Sequence, residues 1–174
     1  MFSPPVLGFA AASGTGKTSL LTQLIPMLKA QNLQIGIIKH SHHDFEIDHP
    51  GKDSFRLRKA GATPVMLVSR YRRAIISELP ADADISLAEQ LALFPNAGLD
   101  LILVEGFRHE SYPKIELCRP SLDKPLLYPE DPSIIAIASN QPLSTPPGLP
   151  CLDLNDTQAI AKFIIEIFLK RQRD

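Results

Sequence analysis

The sequence lacks the features of secreted, membrane-spanning and nucleic-acid-binding proteins. It has only two cysteines among 174 residues, and their wide spacing fits neither a C-x-x-C pair nor a disulfide framework. No apolar run approaches the roughly 20 residues that cross a bilayer. The formal net charge of −1 gives no general positive field for nucleic acid. We therefore expect a cytoplasmic protein with reduced thiols, whose partners include neither a nucleic acid nor a membrane.

The amino-terminal segment and the composition support the same expectation. Met1 to Pro5 lacks the basic region and the apolar core of a signal peptide. Hydrophobic residues make up 44% of the chain and charged residues 21%, which is typical of a globular protein with a buried core. A length of 174 residues suits one compact domain, so we expect residues 1–174 to form a single domain.

Short apolar runs alternate along the chain with segments of helical periodicity. Buried strands are predicted at Val6 to Ala10, Leu33 to Ile38, Leu99 to Val104 and Ile134 to Ala138. Helices are predicted at Lys17 to Gln31, Asp53 to Ala60, Ile85 to Phe94 and from Asn155 onward. This alternation predicts an α/β fold with a largely parallel sheet flanked by helices.

Four local features carry more specific expectations. Pro26 lies inside the first predicted helix, so we expect a kink or an early end there. Val65 to Val68 and Ala74 to Ile76 resemble two extra short strands that form a hairpin. Lys114 to Cys118 alternates polar and apolar residues, which predicts a half-exposed strand. Asn155 begins a sequence similar to a capping box, so we expect the last helix to start there.

A glycine-rich segment follows the first predicted strand and opens the first predicted helix. Its sequence from Ala11 to Thr18 matches G-x-x-x-x-G-K-[ST] except at Ala11, where a left-handed backbone would cost about 1 kcal/mol or more. The glycines allow backbone N–H groups to surround phosphate oxygens, and the helix N-terminus adds partial positive charge. We expect Lys17 to reach the β- and γ-phosphates of a nucleoside triphosphate, and Thr18 to bind Mg²⁺. The predicted phosphate-binding residues are Ser13, Gly14, Thr15, Gly16, Lys17 and Thr18.

An acidic residue follows another buried strand. The sequence from Leu101 to Gly106 has four apolar residues, then Glu105 and a glycine. Ligands of open α/β sheets bind at the carboxyl ends of the strands, so we expect Glu105 to hold the metal or its bound water. The alternative is a solvated loop carboxylate. Arg108 and His109 follow directly, and they are either anion contacts or surface charges.

The loop after the second predicted strand contains four of the five histidines: His40, His42, His43 and His49. Three interpretations are open: a loop that responds to the nucleotide, a polar structural loop, or a transition-metal site. At the end of this loop, Asp53 is predicted to bind Mg²⁺ through water or to orient the attacking water. The alternative is that Asp53 or Ser54 caps the next helix.

Together these motifs resemble the molybdopterin-guanine dinucleotide biosynthesis protein B family. The resemblance is carried, in order, by the segments Ala11 to Thr18, Ile38 to Asp44, Pro50 to Ser54, Asp100 to His109, Ile135 to Asn140 and Asp153 to Asp156. The K-H-x-H-H-D and L-V-E-G-F sequences are much more specific than the glycine-rich segment alone. The resemblance covers most of the chain and is weakest at residues 78–98 and 119–132.

The resemblance implies a P-loop NTPase-type fold that binds GTP with Mg²⁺ and hydrolyses it slowly. It implies a homodimer with extra strands paired across the subunits. It also implies an accessory role beside the guanylyltransferase that attaches GMP to molybdopterin. Asp53 and Glu105 would be the acidic residues near the metal, and Ser139 and Asn140 end a strand where the base could bind. They do not form the N-K-x-D guanine motif, so guanine selectivity rests on the resemblance.

Two other functions remain open at this point. Strands that end in V-E-G also occur in small P-loop kinases, so the chain could phosphorylate a small molecule. Such a kinase needs a lid whose cations close over the transferred phosphoryl group. Residues 119–132 offer only Arg119 and Lys124, which supports a lid poorly. The chain could also be a non-hydrolysing binding module whose phosphate site only stabilises a dimer.

Overall fold

A computed structural model describes residues 4–41, 44–143 and 148–172, and it contains a six-stranded sheet in which every paired strand is parallel. The strands are β1 (Val6–Ala10), β2 (Ile35–Lys39), β5 (Leu101–Glu105), β6 (Lys114–Cys118), β7 (Ile134–Ser139) and β8 (Cys151–Asp153). Their order across the sheet is β2-β5-β1-β6-β7-β8. The carboxyl ends of all six strands therefore lie along one edge.

Helices cover the sheet because parallel strands are connected by crossovers that pack on its faces. The helices of this part of the chain are α1 (Lys17–Ala30), α3 (Leu87–Leu93) and α4 (Thr157–Phe163). Leucines of α1 and Ile160 of α4 share one apolar core with Leu7, Phe9, Leu101 and Leu103. Leu87 of α3 packs in a second core with Ile102 and Val104. Alternate residues of β5 thus face opposite helical layers. The prediction of an α/β fold is confirmed.

The first helix continues through its proline. α1 runs to Ala30 with Pro26 inside it, so of the two expected outcomes the early end is wrong and the kink stays a prediction. Leu24 and Leu28, on either side of the proline, are fully buried. Burial of an apolar face stabilises a helix more than one missing backbone hydrogen bond destabilises it. The packing of these leucines therefore explains why the helix continues beyond Pro26.

The strand β6 is buried along its whole length, so the prediction of a half-exposed strand is wrong. Lys114 and Glu116 are 1% and 3% exposed, because β6 lies between β1 and β7. The Lys114 ammonium forms an ion pair with Asp131 at 2.9 Å. The Glu116 carboxylate accepts hydrogen bonds from the backbone N–H groups of Leu127 and Tyr128 at 2.7 and 2.9 Å. Burial raises the pKa of Glu116 despite these two hydrogen bonds.

The carboxyl-terminal part differs from the prediction in two further ways. β8 is a strand of three residues in a segment with no clear strand pattern. The cap of α4 is Asp156, whose side chain accepts the Ala159 N–H at 2.9 Å, and not Asn155. Beyond α4 the chain continues as a π-helical segment, Ile164–Leu169. None of the helices in the described part of the chain has the length and apolarity to cross a bilayer.

Residues 41–86 form a second compact unit, and residues 1–40 with 87–174 form the first. The second unit contains α2 (Asp53–Lys59), β3 (Val65–Val68) and β4 (Arg73–Ile76). The two strands pair antiparallel, which confirms the predicted hairpin. The helix cap is Lys52, without a side-chain hydrogen bond, so the expected cap at Asp53 or Ser54 is wrong. The Ser54 hydroxyl instead donates to the Asp48 carboxylate at 3.0 Å.

Candidate functional site at the carboxyl edge of the sheet

The glycine-rich loop connects the carboxyl end of β1 to the start of α1. Gly14 and Gly16 have φ angles of +81° and +103°, a left-handed region that favours glycine. The described non-glycine residues with positive φ are Asn32, Phe107 and Asp123. Ala11 is therefore outside this region, and alanine replaces the expected glycine there without backbone strain.

Side chains of the loop organise its own backbone. The buried Thr15 hydroxyl donates to the Ala12 carbonyl at 2.8 Å. The Lys17 ammonium donates to the carbonyls of Ala11 and Ala12 at 3.0 and 3.4 Å. Lys17 therefore lies across the loop, where an anion would compete with carbonyl oxygens for its protons.

The Lys17 ammonium lies in a mixed electrostatic field. Burial lowers the pKa of Lys17 below its ordinary value of 10.5, and the cations Lys39 and Arg108 lower it further, whereas Glu105 opposes them. Burial and neighbouring cations disfavour the charged amine, and a bound anion would oppose them by favouring the charged form. These features are typical of a phosphate-binding lysine.

Glu105 lies at the same edge of the sheet. It ends β5 and pairs in register with Phe9 of β1 and Lys39 of β2. Its side chain is 13% exposed, and each carboxylate oxygen lies 3.3 Å from the Lys39 Nζ atom. The predicted acidic residue thus lies one strand away from the strand that leads into the glycine-rich loop.

The backbone turns sharply after Glu105. Gly106 has a φ of +113°, and a Cβ atom built there would lie 2.6 Å from the His40 Cβ atom. The His40 N–H donates to the Glu105 carbonyl at 2.8 Å, and the His40 ring stacks on Phe107 with centroids 4.5 Å apart. The Tyr112 hydroxyl donates to the Gly106 carbonyl at 2.8 Å. These contacts fix the position of the Glu105 backbone from both sides.

The donor chemistry at this edge fits Mg²⁺. Thr18 is exposed in the first turn of α1, and Glu105 supplies carboxylate oxygens. Mg²⁺ prefers oxygen ligands, keeps several waters, and commonly takes only one or two protein ligands beside substrate phosphates. Within the described ranges no group of three or more histidine, cysteine or acidic residues could hold a metal. Any Mg²⁺ held by these residues would thus also need phosphate oxygens.

The other predicted site residues lie in different places. Ser139 ends β7 and Asn140 follows it; both line a pocket of about 290 Å³. Asp53, in the second unit, is the first residue of α2, and its carboxylate lies 3.8 Å from Arg56. The metal role of Asp53 stays a prediction.

The described histidines of the loop, His40 and His49, belong to different units. His49 belongs to the second unit and its N–H donates to the Asp48 carboxylate at 3.0 Å. His42 and His43 lie outside the described residues. The role of the histidine loop therefore stays open.

Two cations of the site were not predicted from sequence. Lys39 pairs with Glu105. Arg119 follows the end of β6, and its Nε atom donates to the Thr15 carbonyl at a distance of 2.8 Å. Arg119, Arg108 and Lys124 also line a cavity of about 160 Å³ beside the loop. The strand order β2-β5-β1-β6 makes both contacts possible, and a single sequence does not reveal that order. For Lys39, the family-like K-H-x-H-H-D sequence was a signal that could have indicated a role in the site.

Comparison with known proteins gives a consistent result. Residues 6–140 match the family described as molybdopterin guanine dinucleotide synthesis protein B (MobB). A molybdopterin-guanine dinucleotide biosynthesis adapter protein of Escherichia coli K12 is 45% identical over 168 residues, which are 96% of this chain and 95% of the relative. The protein of the same name from Haemophilus influenzae is 44% identical over 162 residues, with coverages of 92% and 87%.

A solved structure shares the fold. The crystal structure titled molybdopterin-guanine biosynthesis protein B superposes with a TM-score of 0.74 at 22% identity. The match covers 95% of this chain and 99% of that chain. The sheet order and the flanking helices are therefore those of a known architecture.

Proposed function

Because the chain belongs to the molybdopterin guanine dinucleotide synthesis protein B family, we propose that it is an adapter protein of molybdopterin-guanine dinucleotide biosynthesis that binds GTP with Mg²⁺. The observation that carries the nucleotide part is the position of Lys17. Its ammonium lies over a loop of left-handed glycines, at the sheet edge where Glu105 ends the neighbouring strand. Two curated relatives named as adapters, each over 40% identical, support the adapter part.

The proposed contacts follow from the chemistry of each group. Backbone N–H groups from Ser13 to Gly16 surround the phosphates, and Lys17 neutralises the β- and γ-phosphate charge. Thr18 and Glu105 hold Mg²⁺ directly or through water, and the water-mediated role predicted for Asp53 stays a prediction. The purine base lies toward Ser139 and Asn140. Hydrolysis is slow and Mg²⁺-dependent, which suits an adapter that changes state and does not turn over quickly.

We also propose the partners. The adapter acts beside the molybdopterin guanylyltransferase and its molybdopterin-type cofactor, as a homodimer in the cytoplasm. The support for a homodimer is the second unit, since a two-stranded hairpin with one short helix has little apolar surface to bury on its own. Its exposed apolar side chains include Met66, Val68 and Ile75, which are 57%, 69% and 55% exposed.

Equilibrium binding of GTP with Mg²⁺ tests the nucleotide part. The wild-type chain is expected to bind at micromolar concentration, and Lys17→Ala to lose tight binding while keeping its circular dichroism spectrum. Lys29→Ala is the matched control, because Lys29 is exposed near the end of the same helix. A wild-type chain without affinity for GTP at micromolar concentration would contradict the proposal.

A second experiment tests the adapter part. The chain is incubated with GTP and Mg²⁺, with and without molybdopterin and its guanylyltransferase. The expected result is slow hydrolysis by the chain alone and faster formation of the dinucleotide by the transferase. Rapid phosphoryl transfer to a small acceptor would instead support a small P-loop kinase and reject the adapter.

A further inference from the structure

The last two strands of the sheet bring two polar side chains to a second pocket at the carboxyl edge. β7 and β8 are parallel, and Ser139 pairs in register with Asp153. Neighbouring strands lie about 4.8 Å apart, and β7 is two strands away from β1. The pocket is therefore roughly 10 Å or more from the glycine-rich loop. A ribose and one phosphate can bridge that span, so a nucleotide with its phosphates at the loop can place its base here.

The pocket lining includes Ser139 and Asn140, at the end of β7, and Asp153, at the end of β8. Its volume of about 290 Å³ is close to the lower end for small-molecule sites, roughly 300 Å³. Asp153 is exposed, and its Oδ1 atom accepts the Asn155 N–H at 2.8 Å. No described residue donates a hydrogen bond to its Oδ2 atom. Asp153 therefore offers a carboxylate held by one hydrogen bond, with its Oδ2 atom and the second lone pair of its Oδ1 atom available as acceptors.

We propose that Asp153 selects guanine by accepting hydrogen bonds from the N1–H and N2 amino groups of the base. This inference rests on the proposed function, because it assumes that a nucleotide occupies the glycine-rich loop. Guanine presents two donors side by side on that edge, and a carboxylate presents two acceptors. Adenine presents an acceptor at N1 and no amino group at C2, so it would leave the Asp153 carboxylate unpaired. A site built around a hydrogen bond strongly rejects an analogue that lacks the partner.

Asn140 supplies the complementary chemistry. Its Oδ1 atom is buried and has no hydrogen-bond partner among the described residues. The amide therefore turns its oxygen inward, which leaves its NH₂ group as the end that a ligand can reach. Guanine has acceptors at O6 and N7 on the other edge of the base, whereas adenine replaces O6 with an amino donor. A donor at Asn140 and acceptors at Asp153 together match guanine and mismatch adenine.

The test replaces one carboxylate oxygen with an amide. Asp153→Asn keeps the Oδ1 acceptor that fixes the Asn155 N–H, so the local fold is retained. Xanthine has a carbonyl at C2 where guanine has an amino group, and the new amide can donate to it. With Mg²⁺ present, the variant is expected to bind GTP roughly 10- to 100-fold more weakly than the wild type. It is also expected to bind XTP more tightly than the wild type does, and a misfolded chain cannot show this gain.

The control variant is Asp84→Asn, which makes the same charge change at an exposed position of the second unit; it should keep the wild-type preference for GTP. A second measurement uses the wild type alone. ITP lacks the N2 amino group and should bind roughly tenfold more weakly than GTP.

The outcomes separate the two proposals. If the wild type binds GTP and ITP equally, or if Asp153→Asn keeps its preference for GTP over XTP, the guanine-reading role is overturned and the proposed function stands. If the wild type binds no GTP, the proposed function fails and the role of Asp153 fails with it.

Discussion

At the scale of single residues, position in the sheet decides the chemistry of each side chain. Glu105 was predicted from its place after four apolar residues, and the structure puts it at the expected edge. Lys39 and Arg119 gain their importance only from neighbours distant in sequence, Glu105 and Thr15. A sequence pattern can identify a residue whose role depends on its own strand. It cannot identify a residue whose role depends on a neighbouring strand of the sheet.

Glu105→Gln tests the metal role. The amide keeps the shape of the side chain but removes the charge that would hold Mg²⁺ or its water. We expect Mg²⁺-dependent GTP hydrolysis to fall roughly tenfold or more, with a smaller loss of GTP affinity. Single-turnover hydrolysis and equilibrium binding measure the two effects. Glu166→Gln is the control, because that carboxylate is exposed and pairs only with Lys162 among the described residues. Equal losses of hydrolysis and binding would argue against a metal ligand.

Gly106→Ala tests the close approach of two chain segments. Gly106 has a φ of +113°, and the added Cβ atom would lie 2.6 Å from the His40 Cβ atom. Backbone strain and steric overlap would therefore both lower the stability of the variant. Gly98→Ala is the control. Gly98 has a φ of +77°, and no atom lies within 4 Å of the new Cβ atom, so the substitution costs only the backbone strain of about 1 kcal/mol. Urea unfolding should show a clearly larger loss of stability for Gly106→Ala. Equal losses would mean that the His40 contact yields without cost.

At the scale of elements, β6 shows how tertiary position overrides a local pattern. Its alternation of polar and apolar residues is typical of a strand at a surface, yet both neighbours of β6 are strands and its faces are covered. Lys114 and Glu116 avoid the cost of burial by binding the loop after β6 and the turn before β7. The polar residues therefore hold connecting segments against the sheet.

Asp131→Asn tests the ion pair between Asp131 and Lys114 through the pH dependence of stability. Partial burial alone would raise the pKa of Asp131, but hydrogen bonds from Lys114 and Ser133 outweigh burial and lower the pKa below its ordinary value of 3.8. A lowered carboxyl pKa stabilises the fold above the unfolded value, and this contribution is lost as the pH falls through 3.8 toward the folded value. At neutral pH the variant should be about 1.5–3 kcal/mol less stable.

The difference in stability between wild type and Asp131→Asn should shrink as the pH falls through 3.8, as followed by urea unfolding at several pH values. Asp123→Asn is the control, because Asp123 is exposed and has a φ of +47°, which asparagine tolerates. A difference that stays constant with pH would show that the ion pair with Lys114 does not contribute.

Pro26→Ala tests the stability of α1, the helix that follows the glycine-rich loop. Proline is about 3 kcal/mol less favourable than alanine in a helix interior, and it returns only about 0.4–1 kcal/mol by restricting the unfolded chain. Pro26 is exposed, so the difference of these two terms should raise stability by about 2–3 kcal/mol. Urea unfolding measures it, with the exposed Lys29→Ala as the control. A loss of stability would show that α1 has adapted its packing to the proline.

At the scale of the whole molecule, the chain divides into two compact units with different degrees of burial. The first unit holds the parallel sheet and the buried cores. None of the described residues of the second unit lies in those cores, and the apolar side chains of its hairpin are exposed. Contiguous exposed apolar surface is typical of a protein–protein interface, which is consistent with the proposed homodimer.

Met66→Lys tests that interface. Met66 and Ile75 are opposite each other on the hairpin and both are exposed, so the change should not disturb the folded unit. A charge in a self-complementary apolar interface is repeated by symmetry, and we expect the dimer to weaken or dissociate in sedimentation velocity. Leu93→Lys, at a side chain that is 79% exposed in the first unit, should leave the mass unchanged. A wild-type chain that sediments as a monomer would contradict the dimer.

Features that depend on neighbouring residues were determined by the sequence alone. The apolar run before Glu105, the helical spacing after Lys17 and the glycines at 14 and 16 each specify a local structure, and the structure has them where the sequence predicts. The family could be recognised because these local patterns occur in a fixed order.

Only the tertiary structure decided the order of the strands, and with it the surroundings of each side chain. That order buries Lys114 and Glu116, brings Arg119 to the glycine-rich loop and sets Asp153 beside Ser139. Parallel strands that are distant in the chain become neighbours through crossovers, and no local periodicity records which strands pair. The proposed phosphate site is thus formed by residues adjacent in sequence, whereas the pocket proposed to recognise the base is formed by strands that only the folded sheet brings together.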